Sequence, residues 1–567
     1  MSSDIQTTEV HSLSNTNSTT CVDKRVDNYP NEKIDPEAQI IVKIEDALNV
    51  EALKNGQATV QLSKIELIMV MIGLSLGVFL AALDTTIVST ALPKIASEFN
   101  SLDQISWVAT SYLLTTTALQ PTYGKFSDIF GRKITFLFAI TIFEIGSLLC
   151  GLAPNMVSLI IFRAIAGLGG GGIISLVIVI ITDIVSFQDR GKYQGMIGAV
   201  FGIASVVGPL LGGAFTDHLT WRWAFYINIP LGAITIVAII FLLRIPRPKG
   251  SLIQKIKRID YLGTIVMTFT IIAFLLPLSW GGNEYAWNSP VIIVLLIVGC
   301  GGIFLFALVE VKFANEPVSP PHLFKSVNIV GTFGTNFFQG MAFFGLIYYI
   351  PVYFQVIKGD SATASGLELI PYILGVVLAS IIAGQFMSRT DIASYRTISI
   401  LGGVMIAVGS GLLTLWNENT GRGVQIAYMI IAGIGVGVIL QSTMLCGQQI
   451  VDNKDVAVIT SLLSFFRTIG AVFGIAMIGT TFKNVLAHNL DKLSLPADIN
   501  LVVRQSALAV HELPDDMRIP VIAAYVNALS SAYMVLVPMG ALCALSAMFI
   551  GNHKPIISEK ETVVVFE

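Results

Sequence analysis

The sequence predicts an all-α polytopic membrane protein of about fourteen spans, built as two parallel six-helix bundles plus two linking helices. Three observations lead there. Hydrophobic residues make up 54% of the 567 and charged ones only 13%, with a mean hydropathy of +0.75. The apolar residues gather into blocks long enough to cross a hydrocarbon core, which takes about 20 residues of helix. Lastly, the letters G-A-V-F-G-I-A at Gly198–Ala204 return at Gly470–Ala476.

The same composition removes several classes of function. A net charge of -3 leaves no broad basic surface for nucleic acid. No G-x-x-x-x-G-K-[ST] loop occurs, so a self-contained ATP-driven pump is not expected. Cys21, Cys150, Cys300, Cys446 and Cys543 form neither a metal spacing nor a disulfide framework, and the histidines form no ligand cluster. No metal or cofactor is therefore expected, and no enzyme. G-L-G-G-G-G at Gly167–Gly172 satisfies the dinucleotide pattern, but it sits inside a membrane span, where close helix packing explains it better.

Along the chain, Met1–Lys64 is polar, has no secretory leader and is expected to be a disordered tail, with a short amphipathic helix at Pro36–Leu53. No lipidation signal stands at either end. The first bundle is expected within 65–243, with spans at Leu67–Leu92, Ile105–Tyr123, Ile134–Ala153, Val157–Val185, Tyr193–Phe215 and Trp223–Leu243. A basic linker, Arg244–Asp260, leads to two inserted spans, Tyr261–Trp280 and Val291–Val311, and a Pro-containing loop at Pro317–Pro321. The second bundle, 327–551, takes Val327–Val356, Leu367–Met387, Thr397–Trp416, Val424–Gln448, Val456–Phe482 and Ser531–Gly551, with an outward loop near 483–529. A second tail, 552–567, follows.

Loop charges orient these spans. Lys125, Arg132, Lys133, Arg190, Lys192 and the basic linker fall on one side, against Lys94, Arg222, Lys358 and Arg422 on the other. Both termini are then cytosolic. The repeated heptad lies on spans five and thirteen, and a weaker echo pairs G-K-F-S at Gly124–Ser127 with G-Q-F-M-S at Gly384–Ser388, on spans two and ten. Both echoes are offset by an even number of spans, so the halves share one orientation.

Several residues could carry chemistry. Asp84 lies well inside span one, where a carboxylate is costly unless paired, hydrated or protonated. It is a proton or substrate site, or else a structural hydrogen bond to Thr85, Thr86 or a neighbouring helix. Arg163 in span four is the matching cation, unless it snorkels to the interface. Glu144, Gln339 and Arg467 are secondary candidates, with Phe337, Phe338, Phe343, Phe344, Tyr348, Tyr349 and Tyr353 as possible walls of an apolar cavity. The loop Gly124–Lys133, G-K-F-S-D-I-F-G-R-K, sets Asp128 among Lys125, Arg132 and Lys133 between Gly124 and Gly131. It reads as positive-inside decoration or as a charge latch favouring one arrangement of the two halves. Span five carries Gly208, Pro209, Gly212 and Gly213, a small-residue surface for close helix approach, with Pro209 expected to bend it.

That loop resembles the major facilitator signature G-x-x-x-D-x-x-G-R-K. The stretch G-P-L-L-G-G at Gly208–Gly213 resembles the antiporter motif of the same superfamily. Leu83–Pro93 and Trp221–Gly232 are similar to motifs of its fourteen-span drug:proton antiporters. The similarity runs from about Leu67 to Gly551. It implies alternating access, with protons exchanged for amphipathic organic molecules such as drugs, toxins or fungal secondary metabolites. It also implies roles for Asp84 and Arg163 in proton transfer. A monomer in the plasma membrane is expected. The branch also holds siderophore and vacuolar basic amino-acid carriers, and a non-transporting sensor on the same fold is a further reading. Asp84→Asn is expected to abolish coupling while leaving the protein folded.

Overall fold

A computed structural model describes residues 63–551, apart from 100, 102–103, 244, 246–247, 249, 283, 390–393, 494, 497–498, 501–502, 504–509 and 512. Both expected tails, the Pro36–Leu53 helix, and Arg244, Arg247 and Lys249 of the basic linker lie outside the described residues.

The first half consists of α1 (Lys64–Phe99), α2 (Ile105–Phe130), α3 (Arg132–Gly151), α4 (Met156–Ile184), α5 (Phe187–His218), the short α6 (Trp223–Tyr226) and α7 (Asn228–Leu242). Next come α8 (Leu252–Lys257), the inserted pair α9 (Tyr261–Trp280) and α10 (Pro290–Lys312), and α11 (Pro321–Lys325). The second half is α12 (Val327–Val356), α13 (Ala362–Leu367), α14 (Ile370–Arg389), α15 (Tyr395–Leu413), α16 (Arg422–Ile450), α17 (Val456–Asp491), α18 (Asp515–Met534) and α19 (Leu536–Met548). Local chemistry sets many of these starts. Asn155 caps α4, Ser289 caps α10 just before Pro290, and Ser251 with Gln254 closes a capping box on α8.

Among the described residues, thirteen helices are long and apolar enough to cross a membrane, against the fourteen expected. The exception is α2, whose Ser111, Thr116, Thr117, Gln120 and Thr122 are buried against other helices instead of facing lipid. It keeps transmembrane length all the same. On α10 only Ile292, Gly299, Val309 and Glu310 are buried, so this helix presents most of its side chains outward to lipid. The chain is a multi-pass membrane protein.

Two boundaries differ from expectation. Helix α17 continues to Asp491 and α18 begins at Asp515, so the segment between them is much shorter than the expected loop at 483–529. The last span likewise starts before Ser531. These extra turns are too polar to read as lipid-spanning, yet they bury Leu486, Leu490, Val521, Ala524 and Tyr525 in the second half's core.

The halves repeat one another helix by helix. In the first, α4 packs between α2 and α3, while α5 and α7 pack on α1. In the second, α16 packs between α14 and α15, while α17 and α19 pack on α12. The sixth span of each half is broken at the same kind of place. Pro230 leaves the carbonyl of Tyr226 without its helical donor, and α6 ends there. Pro538 does the same to Met534, where α18 ends. The two most extensive contacts between the halves are crossed, α2 with α17 and α5 with α14.

Those contacts show which echo carries the repeat. A methyl group on Gly124 would lie 2.6 Å from Ser461 Oγ and 3.0 Å from the Ala457 carbonyl of α17. One on Gly384 would lie 2.6 Å from Gly191 Cα of α5. The weaker sequence echo therefore marks equivalent inter-half contacts, each against the first turns of the opposite half's fifth span. The seven-letter repeat shares helices but not surroundings. Gly470 and Gly474 sit on the Phe337 and Met341 carbonyls of α12, whereas Gly198 meets nothing within 4 Å and Gly202 meets Ile373 of α14.

Candidate functional site

Helix α1 carries Asp84 into the middle of the first half, where the residue is 0% exposed. Its partner is Arg163 of α4, with Nη1 to Oδ2 at 2.5 Å and only 1% of the arginine exposed. Arg163 Nε also donates to the Val108 carbonyl of α2 at 3.1 Å, and its guanidinium lies 4.2 Å from the centre of the Tyr112 ring. On the other side, Asn228 Nδ2 donates to Asp84 Oδ1 at 3.2 Å and to Ser147 Oγ of α3 at 2.8 Å. Side chains from five elements thus close over one ion pair. Thr85 and Thr86 do not serve it, because their hydroxyls bond carbonyls of their own helix at Ala81 and Ala82.

Burial changes what a substitution at Asp84 does. Two ions taken from water are offset by their mutual attraction only while both are present, and removing one partner costs about 3–5 kcal/mol. Asp84→Asn would strand Arg163, so this variant should still fold but be less stable than the parent. Arg163 does not snorkel. In this arrangement neither group is open to solvent.

The small-residue helix packs by two faces. Toward α1, a methyl on Gly208 would stand 2.1 Å from Thr86 Oγ1 and one on Gly212 would stand 2.3 Å from the Ile87 carbonyl. Toward α14, Gly191, Gly195 and Gly202 are equally tight against Gly384, Ile381 and Ile373. Gly213 faces nothing within 4 Å. Helix α5 runs on through Pro209 without a break. Thr86 Oγ1 bonds the Ala204 carbonyl at 3.2 Å, next to the Ser205 carbonyl that the proline leaves without its helical donor.

In the loop after α2, Gly131 takes φ +96°, a conformation open to glycine and strained for other residues, and this turns the chain into α3. Arg132 then reaches back to Asp128 Oδ1 at 2.5 Å and across to Asp183 Oδ2, at the end of α4, at 2.7 Å. Lys133 Nζ caps the C-terminal carbonyl of Ile240 on α7 at 2.6 Å. All these bonds lie within the first half, so Asp128 does not itself reach across. Gly124 is the loop residue that touches the second half. Lys125 pairs with Glu316 at 3.0 Å, and Glu316 also accepts from Arg258 Nε at 2.6 Å, tying α2 to the linker on both sides of the inserted pair. Hydrogen bonding from Arg258, with Lys125 beside it, holds the Glu316 carboxyl below its ordinary range.

The secondary candidates scatter. Glu144 of α3 lies against Gly232 of α7, one turn from Ser147, and neither of its carboxylate oxygens has a hydrogen-bond partner among the described residues. Gln339 of α12 is fully buried, and its amide likewise has no partner among the described residues. Arg467 of α17 is half-buried and forms no ion pair among the described residues. Of the expected aromatic wall, Phe337 lines a cavity, while Phe343 and Tyr353 are buried in the core and Tyr348 is exposed. The glycines of α4 act as close-packing residues: Gly167 and Gly171 meet α2 backbone, and Gly169 meets α3 backbone.

Sequence reasoning missed Asn228, Ser147, Asp183 and Glu316. Asn228 had a usable signal as an amide inside an apolar block, four residues before a glycine. The other three are common residue types at ordinary positions, and only the fold brings them to their partners.

Comparison with known proteins agrees with this architecture. The family model described as Major Facilitator Superfamily matches residues 74–475. An MFS-type efflux pump, MFS1, of Arthroderma benhamiae is 39% identical over 85% of this chain and 91% of its own length. The efflux pump aflT of Aspergillus parasiticus is 38% identical over 87% and 97%. An aspyridones efflux protein of Neocamarosporium betae is 36% identical over 86% and 87%. Among solved structures, the human organic anion transporter MFSD10 superposes with a TM-score of 0.54 at 12% identity, over 84% of this chain and 99% of that one. The proton:xylose symporter XylE gives 0.53 at 16%, over 86% and 96%. At such identities the two structures speak to the fold alone.

Proposed function

The chain belongs to the major facilitator superfamily, and from that premise we propose that it is a proton-coupled antiporter exporting small amphipathic organic molecules from the cytosol. It is a membrane transporter; the coupling, the direction and the substrate class are the proposal. The observation that carries it is the fully buried Asp84–Arg163 pair with Asn228 at its side.

A proton arriving at Asp84 Oδ2 cancels the charge that holds Arg163 in place. A guanidinium left unpaired in a dry interior costs several kcal/mol, so the protonated first half relaxes by letting in water, moving the arginine, or both. Helix α1 carries Asp84 and, in its next turn, the Thr86 and Ile87 contacts on which α5 rests. A shift at the pair is thereby passed to α5, and through α5 to α14 of the second half. Alternating access then consists of the two halves rocking about these small-residue contacts. The basic end, with both termini, faces the cytosol by the bias of loop charges. The names of the efflux-pump relatives support export of toxins or secondary metabolites, and the plasma membrane is the location that suits such a role.

The energetics suffice without ATP. A potential of about 100 mV contributes roughly 2.3 kcal/mol per charge, and one pH unit roughly 1.4 kcal/mol. Together they sustain a gradient of about a few hundredfold for a neutral substrate. A single protein acts as the transporting unit in this scheme.

The test is exchange in proteoliposomes under an imposed pH gradient, with lipophilic dyes and azoles as solutes. Gradient-driven flux in the parent, lost in the stability-matched double variant Asp84→Asn/Arg163→Gln, is the expected result. Flux that ignores the pH gradient would overturn the coupling.

A further inference from the structure

The inserted pair flanks a cavity that the central exchange scheme does not use. It measures about 690 Å³, within the range of about 300–1,000 Å³ typical of small-molecule pockets. Its walls come from both halves and from the insert: Pro121 of α2, Thr270 and Phe274 of α9, Phe306 of α10, Phe337 of α12, and Phe466 and Phe473 of α17. It lies along the join between α2 and α17, roofed by α9 and α10.

One ionisable group lines this apolar space. Glu310, near the end of α10, is 4% exposed. Its Oε2 accepts from the Ser319 backbone at 3.3 Å, while Oε1 has no hydrogen-bond partner among the described residues. Asp260, which caps α9 through Oδ1, adds a second carboxylate at the same spot, and its Oδ2 is also without a partner among the described residues. Both free oxygens crowd Gly263, where an added methyl would stand 2.0 Å from Asp260 Oδ2 and 3.0 Å from Glu310 Oε1. The nearby Lys125 and Arg258 are bound to Glu316. No cation among the described residues neutralises Glu310.

An aromatic box with an unpaired acid at its edge has the chemistry of an organic-cation site. Ring faces attract a cation, and more strongly once water is excluded. A carboxylate in the same dry space supplies the counter-charge that a neutral or anionic ligand cannot use. We propose that this cavity is a second binding site, separate from the Asp84–Arg163 centre, that takes a lipophilic organic cation such as a quaternary ammonium or phosphonium.

Tetraphenylphosphonium and tetraphenylborate are close in size and shape and opposite in charge, so together they isolate the contribution of the acid. Binding of each would be measured by equilibrium dialysis on the full chain in nanodiscs of zwitterionic lipid, corrected with empty discs, at mildly alkaline pH. Wild type should bind the phosphonium about tenfold or more tightly than the borate, and Glu310→Gln should abolish that preference. Ala307→Phe keeps the acid but fills the cavity, and it should weaken phosphonium binding to a similar degree. Equal affinity for the two ions in the wild type would overturn the proposal. So would unchanged phosphonium binding in Ala307→Phe, a result that stands even where Glu310→Gln fails to fold. Native mass spectrometry adds a third arm. A phospholipid that Ala307→Phe loses, and that the phosphonium does not displace from the wild type, would assign the cavity to lipid and overturn it too.

Discussion

Asp84 and Arg163 hold each other in a place where neither would be tolerated alone, and stability should report this before transport does. Asp84→Asn should lower stability by about 3–5 kcal/mol, and Asp84→Asn/Arg163→Gln should recover much of the loss. Thermal unfolding followed by size-exclusion chromatography checks the order, and a single variant as stable as the parent would contradict it. Glu144 is the opposite case, an acid with buried oxygens and no partner. Glu144→Leu should melt at or above the wild-type temperature, since an unsatisfied buried polar group costs about 1–3 kcal/mol; a lower melting temperature would show that the carboxylate has a structural partner. At the far end of α1, the hydrogen bond from Arg222 holds the Glu98 carboxyl below its ordinary range, with Trp221 donating to its other oxygen. A depressed acid adds stability above its unfolded value, about 4.3. That contribution is lost as pH falls through the folded value. Glu98→Gln should therefore reduce the fall in melting temperature between neutral and acid pH, and an unchanged fall would exclude this bond as a contributor.

At the scale of the element, α5 is read by its glycines. Gly208→Ala forces a methyl against Thr86 and should cost about 1–3 kcal/mol by overpacking. Gly213→Ala has open space and should fall within about 0.5 kcal/mol of the parent. Equal effects at the two sites would mean that α5 does not rest on α1 as described. The elements also show what the sequence could tell. Long apolar blocks made the spans legible, because lipid imposes length and polarity directly on sequence. The more polar α2 was still legible as a span at Ile105–Tyr123, and α18 was half hidden because a helix end buried in protein need not be apolar throughout. Asp84 and Arg163 stood out for the same reason the spans did, as charges where charge is expensive. Asp183 and Glu316 gave no such sign, since acids near a membrane surface are ordinary until a fold hands them an arginine. The shorter of the two repeats marks equivalent contacts between the halves, and the longer does not.

Across the whole molecule, the basic end is shut by Gly124 on α17, by Gly384 on α5, and by Gln441 donating to Gln194 at 3.1 Å. Gln194 and Gln441 are 5% and 0% exposed. On a background without reactive native thiols, Gln441→Cys should be protected from a membrane-impermeant maleimide at rest. It should become reactive when a pH gradient and an exported solute drive the cycle, and constant reactivity under both conditions would refute opening at this end. What meets where Gly384 faces Gly191 is backbone, and parting backbone from backbone wets peptide groups more than methyls. Apolar surface raises heat capacity on exposure and polar surface lowers it. Parting this contact should therefore add little to the heat-capacity change of opening, which is left to Ile381 and Ile373 over Gly195 and Gly202, so trimming those two side chains to alanine should straighten the Arrhenius line for turnover.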